Sequence, residues 1–377
     1  MIIGVPRETH RHEHRVGLNP FGVSRLVQKG HTVFIETGSG EAAHFTDRNY
    51  QDAGGQIVYS PEEAYRRADI VCRVGMLSSD ELGFLRSGSI VCGFHHLAVA
   101  PRDVIQRLME LETTLVSYEL VRAGTGYRPI MMPFSQMGGR MSVQIAAHYL
   151  QVEAGGRGVL LGNVPGVPPP TVLILGAGTA GRAAARQAAA TGAHVIVLDE
   201  NLRKLSTLNR ELPNQIVTVL AAEERLDRYT PFADVVIGAV LIPGERAPFL
   251  ITEEMVRAMK PGSVIVDLSI DQGGCVETSR PMTPDHPTFT EHGVVHFCVP
   301  NVTANIPRTA SRALANAALP YLVKLADSGL DAALQEDLGL AEGTVLYRGK
   351  IANKRVGKSL DIQATPIDRL LLEGESR

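Results

Sequence analysis

Tryptophan is absent from the 377 residues, all aromatics together reach 5%, and there are only four cysteines. Cys72, Cys92, Cys275 and Cys298 lack close metal-ligand spacing and are too few for a disulfide scaffold. A reduced cytoplasmic setting with no metal site is therefore the expectation. No apolar run approaches the ~20 residues needed to cross a bilayer. The opening MIIGVPRETHRHEHR lacks the basic, apolar, small-residue order of a secretory leader. Neither sign of charge dominates: Lys+Arg 37 against Asp+Glu 40 leaves −3, which argues against a nucleic-acid binder. Glycine is what abounds. The chain has 37 glycines and 22 prolines in a 44% apolar composition. So much glycine without low complexity implies many tight turns, or backbone that closely approaches a ligand. At this length, two domains are the natural expectation.

Short Val/Ile-rich runs appear at residues 2–5, 32–36, 57–59, 70–74, 89–94 and 114–117. Helical stretches lie between them, at 21–29, 61–68, 80–87 and 101–111. Strands alternating with helices predict βαβ units and a mostly parallel sheet. Residues 137–151 read as a long helix, and the Gly/Pro-dense string GGRGVLLGNVPGVPPP follows it. A second alternating series runs through 171–175, 194–198, 217–220, 235–239 and 263–268, and 309–328 reads as a long returning helix. The expected division is a discontinuous substrate domain, 1–128 with 304–377, and a nucleotide-binding domain, 129–303.

The most specific stretch is TVLILGAGTAGRAAARQAAATGAHVIVLDEN. A strand leads into Gly176, Gly178 and Gly181, which serve a tight turn, close backbone approach to a pyrophosphate, and helix-on-strand packing. The helix that follows offers its amino end to phosphate. A second strand ends in Asp199, where an acid bonds the ribose hydroxyls and favours NAD over NADP, although Arg203 and Lys204 stand close by in sequence.

In open α/β sheets, ligands lie beyond the carboxyl ends of the strands. That rule selects the loop PRETHRHEHR, Gly75-Met76, His95-His96 and Asp271. The histidine-rich loop reads as a hydrated surface loop. In His95-His96 an extended chain sends the rings to opposite sides, so one of the two is expected to face a site. Histidine can exchange a proton near neutrality, and Arg15 has the planar fork that matches a carboxylate. Together these suit a dehydrogenase acting on a small carboxylic acid.

Eight strings then carry a resemblance: IGVPRETHRHEHRVGLNP, GHTVFIETGSGEAAHFTD, GGRMSVQIAAHYL, GGRGVLLGNVPGV, the glycine motif, VIGAVLIPGERAP, MKPGSVIVDLSIDQGGCVETSRP and GVVHFCVPNVTANIPRT. Spanning residues 3–309, they resemble alanine dehydrogenase, which is related to the nicotinamide-binding subunit of proton-pumping transhydrogenases. The resemblance implies two doubly wound, Rossmann-like α/β domains flanking a cleft and joined by long helices, in a homohexamer. It implies NAD-dependent interconversion of a small 2-amino acid with a 2-oxo acid and ammonia. By position, Arg15 matches the carboxylate-binding arginine, His96 the acid/base histidine, and Asp271 the aspartate that orders the imine-hydrolysing water. Ser135 and Asp199 match cofactor-contacting positions. Val240, Leu268 and the segment from Cys298 to Asn301 would line the nicotinamide side. No nucleic acid or membrane is implied as a partner.

Gly75 is the departure. The family's fourth strand ends in a Lys-Val-Lys-Glu-Pro string whose second lysine binds substrate; here the aligned string is Arg73-Val74-Gly75-Met76-Leu77. Losing a charged hydrogen bond in a buried site costs about 1.5–3 kcal/mol. Arg73 lies on the same strand face but roughly 6.5–7 Å behind, too far for direct rescue. Phe94, where the family often has tyrosine, also marks a changed pocket. The leading expectation is an amino-acid dehydrogenase with altered substrate preference. Two others stand beside it: an opine-type or imine-reducing enzyme that joins a 2-oxo acid to an amine, and a nicotinamide-binding regulatory protein without catalysis.

Overall fold

The computed structural model describes residues 1–97, 100–124, 126–242 and 246–375. The chain forms two compact units, one of residues 1–134 with 304–377 and one of residues 135–303.

In the first unit, β1 (Ile2–Val5), β2 (Thr32–Glu36), β3 (Gln56–Val58), β4 (Ile70–Cys72), β5 (Ile90–Gly93) and β6 (Thr114–Ser117) form a parallel sheet in the order 3-2-1-4-5-6. Both faces of such a sheet are covered by helices, so its strands read as continuous apolar runs rather than as alternation. β4 and β5 are buried at every position. Helix Pro61–Arg66 starts where Ser60 accepts the Glu63 amide. It packs on β1 so closely that a Cβ at Gly4 would lie 2.0 Å from the Ala64 carbonyl oxygen. The winding reverses between β1 and β4. The loops that leave the carboxyl ends of these two neighbours therefore flank a switch point, which is where open α/β sheets bind ligands.

The second unit repeats the plan. Its strands are β7 (Thr171–Leu175), β8 (His194–Asp199), β9 (Ile216–Leu220), β10 (Val235–Gly238), β11 (Val264–Asp267), β12 (Thr288–Glu291) and β13 (Val294–Phe297), in the order 12-13-11-10-7-8-9. β12 runs antiparallel to β13, and all the other pairs are parallel. β7 is central, and the winding reverses between it and β10. Val172, Ile174, Ala184, Ala188, Val197 and Val235 pack in one core on a face of this sheet, and Leu173, Leu175, Leu198 and Val236 in another on the opposite face. The chain then returns to the first unit through helix Pro307–Ser328. There β14 (Thr344–Tyr347) joins β6 antiparallel, and β15 (Lys350–Ile351) closes a hairpin against β14.

Several elements differ from the sequence reading, among them the helix expected at 80–87, which spans only Ser79–Leu82, and three of the differences have a clear physical reason. The long helix begins at Met131, six residues before the expected start, with Pro133 in its first turn. Proline is tolerated there because no intrahelical donor is needed. The β12–β13 hairpin was not anticipated, since β12 is a half-buried edge strand, TFTE, with no apolar signal. β14 was missed because TVLY follows directly on helix Leu338–Gly343, with no turn residues between them. Among the described residues, no helix is long and apolar enough to cross a membrane, and no group of three or more His, Cys, Asp or Glu side chains is placed to hold a metal.

Candidate active site

In the first unit, the loops after β1, β4 and β5 carry the candidate site residues. Arg15 is buried, with its Nε donating to Glu13 Oε1 at 2.7 Å and its Nη2 to Glu13 Oε2 at 2.5 Å. Its fork is thus occupied by Glu13, in the two-pronged geometry that carboxylates favour. The guanidinium carbon sits 5.4 Å from the centre of the Phe134 ring. Phe134 meets Phe94 edge-on at 4.9 Å, and the Phe94 ring lies nearly parallel to that of His96 at 6.4 Å. A ladder therefore runs Arg15–Phe134–Phe94–His96, from a cationic fork to an exposed imidazole.

The histidine pair splits into one buried and one exposed ring, but the chain is not extended there: His96 lies in a left-handed turn beyond β5. His95 is 1% exposed, and its Nε2 donates to the Val91 carbonyl at 3.1 Å. Burial lowers its pKa to about 4, so it is neutral at physiological pH. His96 is exposed, with φ +43°, and its amide donates to Glu119 Oε1 at 2.8 Å.

Gly75 stands beside a buried ionic network. Glu8 accepts the Val74 amide at 2.7 Å, Arg73 Nη2 at 2.8 Å and, weakly, the Gly75 amide at 3.4 Å. Arg73 also pairs with Glu81 at 2.5 Å and bonds the Tyr65 hydroxyl. Burial pushes the Glu8 carboxyl above its usual range despite Arg73. Burial opposes ionisation of Glu81 too, but Arg73 and the Ser78 hydrogen bonds outweigh it and hold that carboxyl low. Arg73 is thus committed to the interior at 1% exposure, and the space at Gly75 stays open. A Cβ there would meet only Glu8 Oε2, at 3.7 Å.

In the second unit, the turn after β7 is built for a dinucleotide. Gly176 has φ +101°, and a Cβ on it would lie 2.6 Å from the Ala239 oxygen. A Cβ on Gly181 would lie 1.8 Å from the Gly176 oxygen, whereas one on Gly178 would meet nothing within 4 Å. Two glycines bring backbone together and the third leaves room at the amino end of helix Thr179–Ala190, which no side chain caps. That open cradle fits the pyrophosphate of NAD. Asp199 is buried at the end of β8. Its Oδ2 accepts the Ala177 amide at 2.7 Å and its Oδ1 the Asn201 amide at 2.7 Å, with Lys204 Nζ 3.6 Å away. Each carboxylate oxygen has two lone pairs, so these bonds leave acceptor capacity for ribose hydroxyls.

The chain matches the family models "Alanine dehydrogenase/PNT, N-terminal domain" over residues 4–138 and "Alanine dehydrogenase/PNT, C-terminal domain" over residues 142–354. It belongs to the alanine dehydrogenase/PNT family. Alanine dehydrogenase of Mycobacterium tuberculosis is 43% identical, the alignment covering 97% of this chain and 98% of that protein. That of Mycolicibacterium smegmatis is 41% identical, over 98% and 100% respectively. A solved L-alanine dehydrogenase superposes with TM-score 0.91 at 41% identity, covering 96% of this chain and 99% of that one. A Sinorhizobium meliloti transhydrogenase shares the fold, with TM-score 0.81 at 24% identity.

The remaining family positions in the second unit cluster after β10, β11 and β13. Asp271 sits exposed in the short turn Leu268–Gln272, and its Oδ1 accepts the Asn301 amide at 2.8 Å. Asn301 has φ +53°. The Val240 amide donates to Ser269 Oγ at 3.0 Å, tying the loop after β10 to the Asp271 turn. Leu268 is half-buried at the start of that turn, Cys298 is buried, and Ser135 is half-buried in helix Met131–Tyr149. Beneath this turn lies Asp267, 2% exposed, which accepts the amides of Ser269, Cys275 and Val276.

Glu119, Phe134 and Asp267 were not singled out from the sequence, and Glu8 was reached only as a member of the loop PRETHRHEHR, with no partner assigned to it. Applied to β6, the strand-end rule would have found Glu119. An acid closing the apolar run VIVD was the available signal for Asp267.

Proposed function

We propose that this protein interconverts a 2-amino acid with a 2-oxo acid and ammonia, with a substrate preference reset at Gly75. The chain is an NAD-dependent oxidoreductase of the CH–NH2 group of amino acids. NAD supplies the hydride acceptor, and its reduced form the donor. Arg15 clamps the substrate carboxylate in exchange for Glu13, which now occupies its fork, His96 takes and returns the proton, and Asp271 orders the water that attacks the imine. Ser135, Gly176, Gly178, Gly181, Asp199, Val240, Leu268 and Asn301 serve the cofactor. The observation that carries this reading is the Arg15–Phe134–Phe94–His96 ladder, in which a carboxylate fork and an exposed imidazole share one aromatic scaffold.

The altered preference rests on Gly75. No lysine is present there to meet the substrate, Arg73 is held by Glu8, Glu81 and Tyr65, and the vacated space borders the Glu8 carboxylate. That border also supports a second reading, an opine-type or imine-reducing reaction in which an amine co-substrate fills the space. We place the protein in the cytoplasm, in keeping with four buried, unpaired cysteines, and as a homohexamer with residues 1–128 and 304–377 as substrate domain and 129–303 as cofactor domain.

A panel of 2-oxo acids with ammonia or primary amines, followed at the NADH absorbance, tests both readings. Turnover with ammonia supports the first. A product containing both carbon skeletons supports the second. NADH binding without turnover of any pair overturns both. Light scattering checks the assembly.

A further inference from the structure

His96 has a backbone conformation that most L-residues avoid. Its φ of +43° lies in the left-handed region, where Cβ crowds the following carbonyl, although histidine enters that region more often than most side chains do. Such a residue persists only when its surroundings over-determine it. Among the described residues, the bond that its amide makes is to a side chain: it donates to Glu119 Oε1 at 2.8 Å. Glu119 lies in the turn two residues past the end of β6, next to Tyr118, whose amide donates to the Gly93 carbonyl at 2.9 Å and whose ring packs edge-on against Phe94 at 5.7 Å. The carboxylate is therefore delivered from a rigid strand end onto the turn that carries His96.

Stability alone does not account for this carboxylate. Its second oxygen is buried and has no hydrogen bond among the described residues. A carboxylate with one buried, unbonded oxygen is a costly way to hold a loop, and a neutral side chain with an acceptor oxygen would hold it more cheaply. What Glu119 does achieve is geometric. It pins the His96 amide, and the left-handed turn lays the imidazole nearly parallel to Phe94, 6.4 Å away, on the ladder that ends at Arg15.

We propose that Glu119 is a positioning residue for proton transfer: by holding the His96 amide it fixes the left-handed turn and so aims the imidazole relative to the Arg15 fork. This rests on the reading of His96 as the acid/base group. Glu119 touches no reacting atom, so its loss acts on turnover and leaves cofactor binding alone.

The test uses the full-length protein with pyruvate or another 2-oxo acid that turns over, ammonium and NADH. Glu119→Ala is expected to lower kcat about tenfold to a hundredfold, the scale of misplacing a catalytic group by an ångström. KM for the 2-oxo acid and Kd for NADH stay within about twofold. Glu119→Gln keeps a carbonyl acceptor for the amide and recovers kcat to within about fivefold of wild type; it also serves if the alanine variant fails to fold. In a His96→Ala background, Glu119→Ala causes no further loss, because the group it aims is gone. Three results overturn the proposal: kcat within threefold of wild type in Glu119→Ala, no recovery in Glu119→Gln, or an equal loss with His96 absent. If His96→Ala itself turns over normally, the acid/base reading falls and takes this proposal with it. If His96→Ala is inactive while Glu119→Ala is active, only the positioning role falls.

Discussion

Two glycine-bearing regions, the turn after β7 and the loop after β4, look alike in composition and differ in physics. Gly176 and Gly181 are demanded by the backbone: a side chain on either would run into a carbonyl at 2.6 or 1.8 Å. Gly75 is demanded by nothing. Its φ lies outside the left-handed region, and the only atom near an added Cβ is a carboxylate oxygen at 3.7 Å, an ordinary contact. Glycine in the first region is a structural necessity for phosphate binding. In the second it is a choice of pocket contents, and the position is free to take a side chain.

The comparison breaks most visibly at Gly181. Gly181→Ala puts a methyl group into the Gly176 carbonyl and is expected to cost about 1–3 kcal/mol or more in packing. NADH affinity should fall at least tenfold, as read by fluorescence titration; unchanged affinity would mean that the turn has slack. At Gly75 the opposite experiment applies. Gly75→Lys restores a cation beside Glu8 and is expected to change kcat/KM for pyruvate by about tenfold to a hundredfold, the worth of a charged hydrogen bond in a buried site. If the substrate profile of Gly75→Lys matches wild type, the preference does not lie at this position.

Acid separates the loop after β5 from a merely exposed histidine pair. The His95 pKa is lowered from 6.5 to about 4 in the folded state, so the unfolded chain binds the proton more readily. Stability is therefore full above about pH 6.5 and is lost as pH falls toward 4, by about 3 kcal/mol at most. Denaturant melts at pH 7 and pH 4.5 should show this, and His95→Gln should remove part of the slope. The smallest effect is expected for Gly75→Ala: a change within about 1 kcal/mol, in the direction of greater stability, because alanine loses less chain entropy on folding. Strong destabilisation by this substitution would erase the contrast with Gly181.

Much of this was legible in the residues because the signals are local. The alternation of apolar runs and helices, the glycine spacing after β7 and the acid ending β8 all sit within stretches of about 30 residues, and each follows from backbone geometry alone. Edge elements were not legible. β12 is half-buried and weakly apolar, and β14 reaches its partner β6 across more than 200 residues of chain. The groups that support the site were hidden for the same reason. Glu8 acts on Val74 and Arg73 from 66 and 65 residues away, and Glu119 acts on His96 from 23.

By itself the sequence determined an α/β chain with a dinucleotide turn, and the family to which it belongs, because period, glycine spacing and motif strings are properties of neighbouring residues. Only the tertiary structure decided that His96 rather than His95 is exposed, that Arg73 is spent on Glu8, Glu81 and Tyr65, and that Gly75 opens onto a carboxylate. Those outcomes depend on which side chains from distant strands compete for the same buried space and charge, and local pattern carries no record of that competition.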